Sequence, residues 1–336
     1  MNSGTISMIL LIALGVFLVW GLIWGIIRGL KNTAFRTAYI VIIAVVAFFV
    51  ATLITTLLMN LKIGNMIDLS VGGDKAVNLK EYFKLFVQNE LQVTADSTSA
   101  LNAVVGLISI ILNSFIFVLL FWLFKWIFQP IYMIIASFTI NRKRYKKEKY
   151  EKNGKIKVRK IKVKQKRHRI LGGLVGVVLG LFVCTFTFVP ILGYYNIACK
   201  VEEKTADNGK GLVSDMIGQD NYVAVSEGYD KSIFSKVMRY TGMEYVSELL
   251  FNSLTTKKID GVNVNLNKEV DTGIEVYNLV KELKMPSLET CTQEELDTFL
   301  VNSRQLINTS FKSGIINSSI DGFMPLIVDY LTTKFL

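Results

Sequence analysis

The side chains able to do chemistry in this chain are mostly cations at the ends of apolar runs: Arg28, Lys31, Arg36, Lys125, Arg167 and Arg169. At a membrane surface such a side chain reaches lipid phosphates at modest cost, and an excess of Lys and Arg on one side orients the protein. Two readings stay open for them: an anchor that fixes topology, or a site for an anionic lipid or a partner. Acid–base and metal chemistry has far less to work with. His168 is the single histidine, which excludes multi-histidine metal sites and leaves a histidine-based triad only beside a basic loop. Of the three cysteines, Cys184 lies within an apolar run, so only Cys199 and Cys291 could pair. No G-x-S-x-G, P-loop or H-E-x-x-H pattern occurs, and neither catalysis nor a cofactor is expected.

Glycine supplies the other signal. Gly21, Gly25 and Gly29 flank Arg28 at the end of the first apolar run, and Gly172, Gly176 and Gly180 start three residues after Arg169. Glycines four apart share one helix face, where the missing side chains let another backbone come close. If both arginines mark the same membrane surface, the two ladders lie at matching depth on antiparallel helices. Packing within the chain is the expected use; a homo-oligomer contact and a ligand or gating hinge are the alternatives.

The elements that must position these residues are membrane spans. The chain has 336 residues, 51% of them apolar, with a mean hydropathy of +0.41 alongside a net charge of +11. Soluble domains rarely combine these values, because the apolar residues here come in long runs. A crossing takes about 20 apolar residues. Four stretches qualify: 6–27, 37–61, 101–124 with an apolar extension to 140, and 170–193. The third run is too long for one crossing, so Lys125 and the Gln129–Pro130 pair are expected to break it. Lys125 would then snorkel to the interface, with Trp126 at headgroup level and 131–140 along the surface; a re-entrant segment is the alternative.

Charge gives the orientation. The first link carries Arg28, Lys31 and Arg36 with no acid, and residues 141–169 carry sixteen Lys and Arg against Glu148 and Glu151. Residues 200–336 hold 14 basic and 20 acidic residues. Both basic links are therefore expected inside and both termini outside.

Gly25-Ile-Ile-Arg28-Gly29, a first span ending in GxxRG, resembles the first helix of the CvpA family, the colicin V production proteins. Arg169-Ile-Leu-Gly172 running on through Gly176 to Gly180 resembles that family's last helix. The likeness covers roughly residues 5–195. The chain departs from the pattern at His168, where the family has an acid, at Lys31-Asn32, in the basic insertion, and in the region after the last span. The resemblance implies a bacterial cytoplasmic-membrane protein that assists colicin V-type toxin production or export and envelope homeostasis. A small oligomeric transporter or channel, and a membrane-anchored adaptor for a secreted protein or cell-wall polymer, are the alternatives.

The expected fold is all-α and integral to the membrane: four glycine-packed transmembrane helices and a mostly helical extracytoplasmic C-terminal domain. Residues 1–61 hold the first two helices, 62–100 an outer loop with an amphipathic helix, and 101–140 the third helix with its interfacial extension. Then come the basic cytoplasmic loop 141–169, the fourth helix 170–195 and the outer domain 196–336. The basic loop alternates cations with Ile156, Val158, Ile161 and Val163, which suits a surface strand or hairpin turning at Asn153-Gly154. Anionic lipid is its expected partner, a protein is the alternative, and nucleic acid is not expected because no binding-fold signature accompanies the charge. In 78–91, Leu79, Tyr82, Phe83, Phe86 and Leu91 share a helical face that either lies on the outer leaflet or docks on the outer domain. Beyond Cys199, helical periodicity covers 244–254, 268–284, 294–307 and 320–336. Thr292 and Glu295 form a capping box, Pro286 ends the helix before it, and 259–266 alternates like a strand with a turn at Asp260-Gly261.

Overall fold

The structure, a computed structural model, describes residues 2–62, 64, 69–71, 73–91, 98–139, 145–152, 155–162, 168–207, 209–259, 262–282, 292, 294–295, 297–299 and 301–302. Gly29 shows how the first hairpin forms. Asn2 caps α1 (Ser3–Arg28) by accepting from the Thr5 N–H at 2.8 Å, and α1 stops at Gly29, where φ is 78°. That left-handed conformation favours glycine. A single residue therefore reverses the chain into α2 (Leu30–Asn60). The link is shorter than the sequence suggests, so Lys31 and Arg36 lie in the first turns of α2.

Two short strands, β1 (Ser70–Val71) and β2 (Asp74–Lys75), precede α3 (Leu79–Leu91). This amphipathic helix packs against α2 and against α4 (Thr98–Ile127). Glu81 closes its first turn by accepting from the Val77 N–H, while Asn78 accepts from the Glu81 N–H. α5 (Gln129–Thr139) follows directly and leans on α2, with Tyr132 stacked on Phe35 and tilted against Tyr39. The basic segment forms an antiparallel hairpin of β3 (Tyr145–Lys152) and β4 (Lys155–Lys162), with Lys152 opposite Lys155. Asn153, Gly154 and Val163 lie outside the described residues.

α6 (Arg169–Thr205) is the spine of the fold. At 1.5 Å per residue its 37 residues reach about 55 Å, well beyond a hydrocarbon layer of about 30 Å. It runs through position 195 without a break and carries Pro190 in its interior. Among the described residues, four helices are long and apolar enough to cross a membrane: α1, α2, residues Val105–Ile127 of α4, and α6. α6 packs along α1 and α2, and α2 packs along α4.

Three short helices follow that the sequence reading did not pick out: α7 (Leu212–Ile217), α8 (Gln219–Asp230) and α9 (Ile233–Tyr240). After them come α10 (Met243–Leu254), the hairpin of β5 (Thr256–Ile259) and β6 (Val262–Asn265), and α11 (Leu266–Glu282). The alternating 259–266 stretch thus splits into the last residue of one strand, the link, the whole of the next strand and the first residue of α11. The described residues are mostly helical, with three small antiparallel strand pairs. Helical backbone is described again at 294–295 and 297–299, where Thr292 and Glu295 exchange the reciprocal hydrogen bonds of a capping box. Pro286, Cys291 and the 320–336 periodicity lie outside the described residues.

The helices after α6 share the core of the long ones. Phe234 and Met238 of α9 are buried with Leu14 of α1 and with Leu181 and Leu192 of α6. Gly228 of α8 lets that helix sit against the start of α1, where an added Cβ would come 2.9 Å from the Ser3 carbonyl. Phe251 of α10 fills the space left by Gly193 and meets Tyr194 edge to face at 4.9 Å. Glu202, only 6% exposed, accepts from the Gly211 and Ser214 N–H groups at 2.8 and 2.9 Å, which fixes the turn into α7. Lys200 and Lys204 both reach Asp271 of α11. Burial alone would raise the Asp271 carboxyl pKa, but the hydrogen bonds and charges of the two lysines prevail and hold it below its ordinary value.

Candidate functional site

The glycines meet residue by residue. A Cβ placed on Gly21 would overlap the Gly176 carbonyl, one on Gly25 the Gly172 carbonyl, and one on Gly180 the Phe17 carbonyl. The pairs 17/180, 21/176 and 25/172 run in opposite directions along an antiparallel seam. At its end, a Cβ on Gly172 would come 2.7 Å from the Gly29 Cα. The obstacles along this seam are backbone atoms, which cannot swing aside. Gly15, on the same helix, has nothing within 4 Å of an added Cβ, and Gly173 faces only the side chains of Ile26 and Leu22.

Beside the seam, at the Arg28 end, three cations gather on tryptophan rings. The Arg28 guanidinium lies 4.7 Å from the centre of the Trp24 ring, and that of Arg36 lies 4.5 Å from Trp24 and 5.4 Å from Trp20. The Lys125 ammonium lies 3.8 Å from Trp122 and 5.1 Å from Trp20. These distances are those of cation–π contacts, each of order 0.5–2 kcal/mol. Lys125 does not extend outward as the sequence suggests. It is 8% exposed and turned into the bundle, while Trp126 beside it is exposed. The Tyr39 hydroxyl donates to the Lys125 carbonyl at 3.2 Å, which joins α2 to the end of α4.

The structure thus brings Arg28, Arg36 and Lys125 together. Lys31 and Arg169 are exposed outside this cluster, and Arg167 lies outside the described residues. The tryptophans were missed as site residues, although a signal was present. Trp20, Trp24 and Arg28 are four apart, a stripe one position behind Gly21, Gly25 and Gly29 on the same helix. Lys125 follows Trp122 by one helical turn. Among the described residues, no carboxylate lies within ion-pair distance of these three cations, and no three His, Cys, Asp or Glu side chains assemble as a metal site.

The polar residues farther along the bundle are engaged with one another. Asn113 donates to the Leu254 carbonyl at 2.7 Å and accepts from the Thr55 hydroxyl at 3.0 Å. Ser114 shares a hydrogen bond with the Tyr194 hydroxyl, and the Trp122 indole donates to Thr187. Set beside the Tyr39 contact, these bonds fix a register in which α4 from Asn113 to Lys125 lies along α2 from Thr55 to Tyr39. The opening turns of α4 therefore project past the end of α2, toward α3 and β5.

No protein-family model matches the chain, and no curated protein or solved structure is similar to it.

Proposed function

We propose that this is a four-span protein of the bacterial cytoplasmic membrane that acts in the manner of the CvpA family, assisting colicin V-type toxin production or export and envelope homeostasis without catalysis of its own. The observation that carries this reading is the seam. The two motifs behind the family resemblance lie far apart in the sequence, yet each supplies the face against which the other packs. Shared glycine-to-glycine contact, with Arg28 and Arg169 at the same end, gives both motifs one physical purpose and favours packing within the chain over a contact between copies. In this reading the hairpin of β3 and β4 lies on the cytoplasmic side against anionic lipid, and both termini lie outside.

A specific observation favours one mode of action. The helices after α6 share buried residues with α1 and α6, so a partner bound there would be held rigidly against the membrane bundle. That suits an adaptor presenting its outer face to envelope or secretion proteins. It suits a channel less well, because Asn113 and Ser114 spend their hydrogen-bonding capacity on protein groups.

Deleting the chain from its own cell is expected to impair toxin release or sensitise the envelope to detergent. The wild-type chain should restore either trait, and a Gly176→Leu variant should not. Unchanged envelope and secretion phenotypes in the deletion strain, together with solute flux through the purified protein in proteoliposomes, would replace this reading with a transporter.

A further inference from the structure

The cation cluster adjoins an apolar groove through two shared neighbours, Tyr39 and Tyr132. Arg36 lies within electrostatic reach of Arg28, Tyr39 and Tyr132, and Lys125 is within reach of Arg36. Arg36 and Lys125 are partly withdrawn from water, and Arg28 beside them is exposed. Among the described residues no carboxylate pairs with the three, so these like charges repel one another until an anion joins them. The Arg36 Nε is buried with no hydrogen-bond partner, which leaves a charged donor waiting for an acceptor. Tyr39 and Tyr132 also line a groove between α2 and α5 whose other walls include Phe35, Ile43, Phe128 and Ile135. The groove has a cavity volume of about 320 Å³, at the small end of the range of small-molecule sites, and its lining is wholly hydrophobic apart from the two tyrosines.

We propose that this end of the bundle is a binding site for one anionic phospholipid, its phosphate on Arg36, Lys125 and Arg28 and an acyl chain in the α2–α5 groove. Charge complementarity selects the headgroup: three cations with no acid beside them among the described residues favour phosphatidylglycerol or cardiolipin over phosphatidylcholine, whose choline would enter a positive field. The apolar groove selects a lipid over a free phosphate, since an inorganic anion would leave it unused. The tryptophans hold the cations in place and shield the site from water, which strengthens the contact with phosphate. The proposal rests on the chain's spanning a membrane.

Full-length protein in detergent, titrated with phosphatidylglycerol, should melt at a higher temperature with saturable, one-to-one dependence. Phosphatidylcholine and inorganic phosphate should produce little change. Arg36→Gln is expected to weaken the apparent affinity about fivefold or more, from the value of one basic residue near an anionic lipid. Ala38→Trp, which fills the groove and leaves the charges alone, should weaken it as well, and Arg169→Gln should not. Native mass spectrometry of wild-type protein should retain one anionic lipid that the Ala38→Trp variant loses. Equal shifts with neutral and anionic lipid, or unchanged affinity in both Arg36→Gln and Ala38→Trp, would overturn the site alone. A shift with inorganic phosphate as large as with lipid would make it a free-anion site and overturn the lipid. No response to any lipid would count against the membrane reading as well.

Discussion

Gly176→Leu is expected to cut the yield of folded protein to a small fraction of wild type and to lower the melting temperature of what remains by several degrees. The first side-chain carbon would overlap the Gly21 carbonyl and come 3.1 Å from the Gly25 Cα, before the rest of the leucine is placed. Both obstacles belong to the backbone of α1, so the helices must part. Leucine is the better helix former by about 0.8–1 kcal/mol, which works in the opposite direction. Overpacking a close contact costs about 1–3 kcal/mol even where side chains can adjust, and here they cannot, so the clash prevails. Gly15→Leu makes the same chemical change where nothing lies within 4 Å, and should melt like wild type. Size-exclusion profiles and thermal melts of the two variants in one detergent make the comparison. A wild-type melt for Gly176→Leu would contradict the packing account.

Asn113→Leu should detach the helices after α6 from the long bundle while leaving the bundle assembled. Asn113 is 4% exposed, and its amide is the donor to the Leu254 carbonyl, itself in a residue 1% exposed. Removing the donor leaves that carbonyl buried and unpaired, a cost of about 1–3 kcal/mol. The Thr55 hydroxyl suffers less, because it also donates to the Ala51 carbonyl one turn earlier. Limited proteolysis should therefore cut within 212–282 sooner in the variant, with α1–α6 still protected in micelles. Asn60→Leu, whose amide donates to the Thr56 carbonyl on an exposed turn, should leave the pattern unchanged. In a channel, Asn113→Leu would change flux with little change in protease pattern, which is the opposite result.

The four apolar helices could be read from the sequence because each is long and uninterrupted. The 145–162 hairpin was legible through its alternation of cations and aliphatics about a turn dipeptide. The glycine spacing pointed to a close helix approach, and the obstacles to a Cβ at Gly21, Gly25, Gly176 and Gly180 are backbone atoms of the facing helix. What stayed hidden was non-local. The placing of Lys125 depends on Trp20, on another helix, so a lysine at the end of an apolar run read as one reaching for the interface. α8, with the sequence QDNYVAVSEGYD, carries too few apolar residues for a clear period, and α7 and α9 span only two turns or so. These helices hold their shape through contacts such as Phe234 and Met238 against α1 and α6, which no local window contains. The Gly29 turn was hidden for another reason. A single glycine with positive φ replaces the longer link that the charges suggested.

In the proposed topology the chain crosses the membrane four times, with its basic hairpin on one side and the helices after α6 on the other. Cysteine labelling in intact bacterial cells checks this arrangement, in a background lacking Cys184, Cys199 and Cys291. One variant carries Tyr240→Cys, at a position 91% exposed in α9, and the other Lys149→Cys, in β3. An impermeant maleimide is expected to label the Tyr240→Cys protein in intact cells and the Lys149→Cys protein only after the membrane is opened. Labelling of Lys149→Cys in intact cells, or protection of Tyr240→Cys there, would contradict the topology and the function drawn from it.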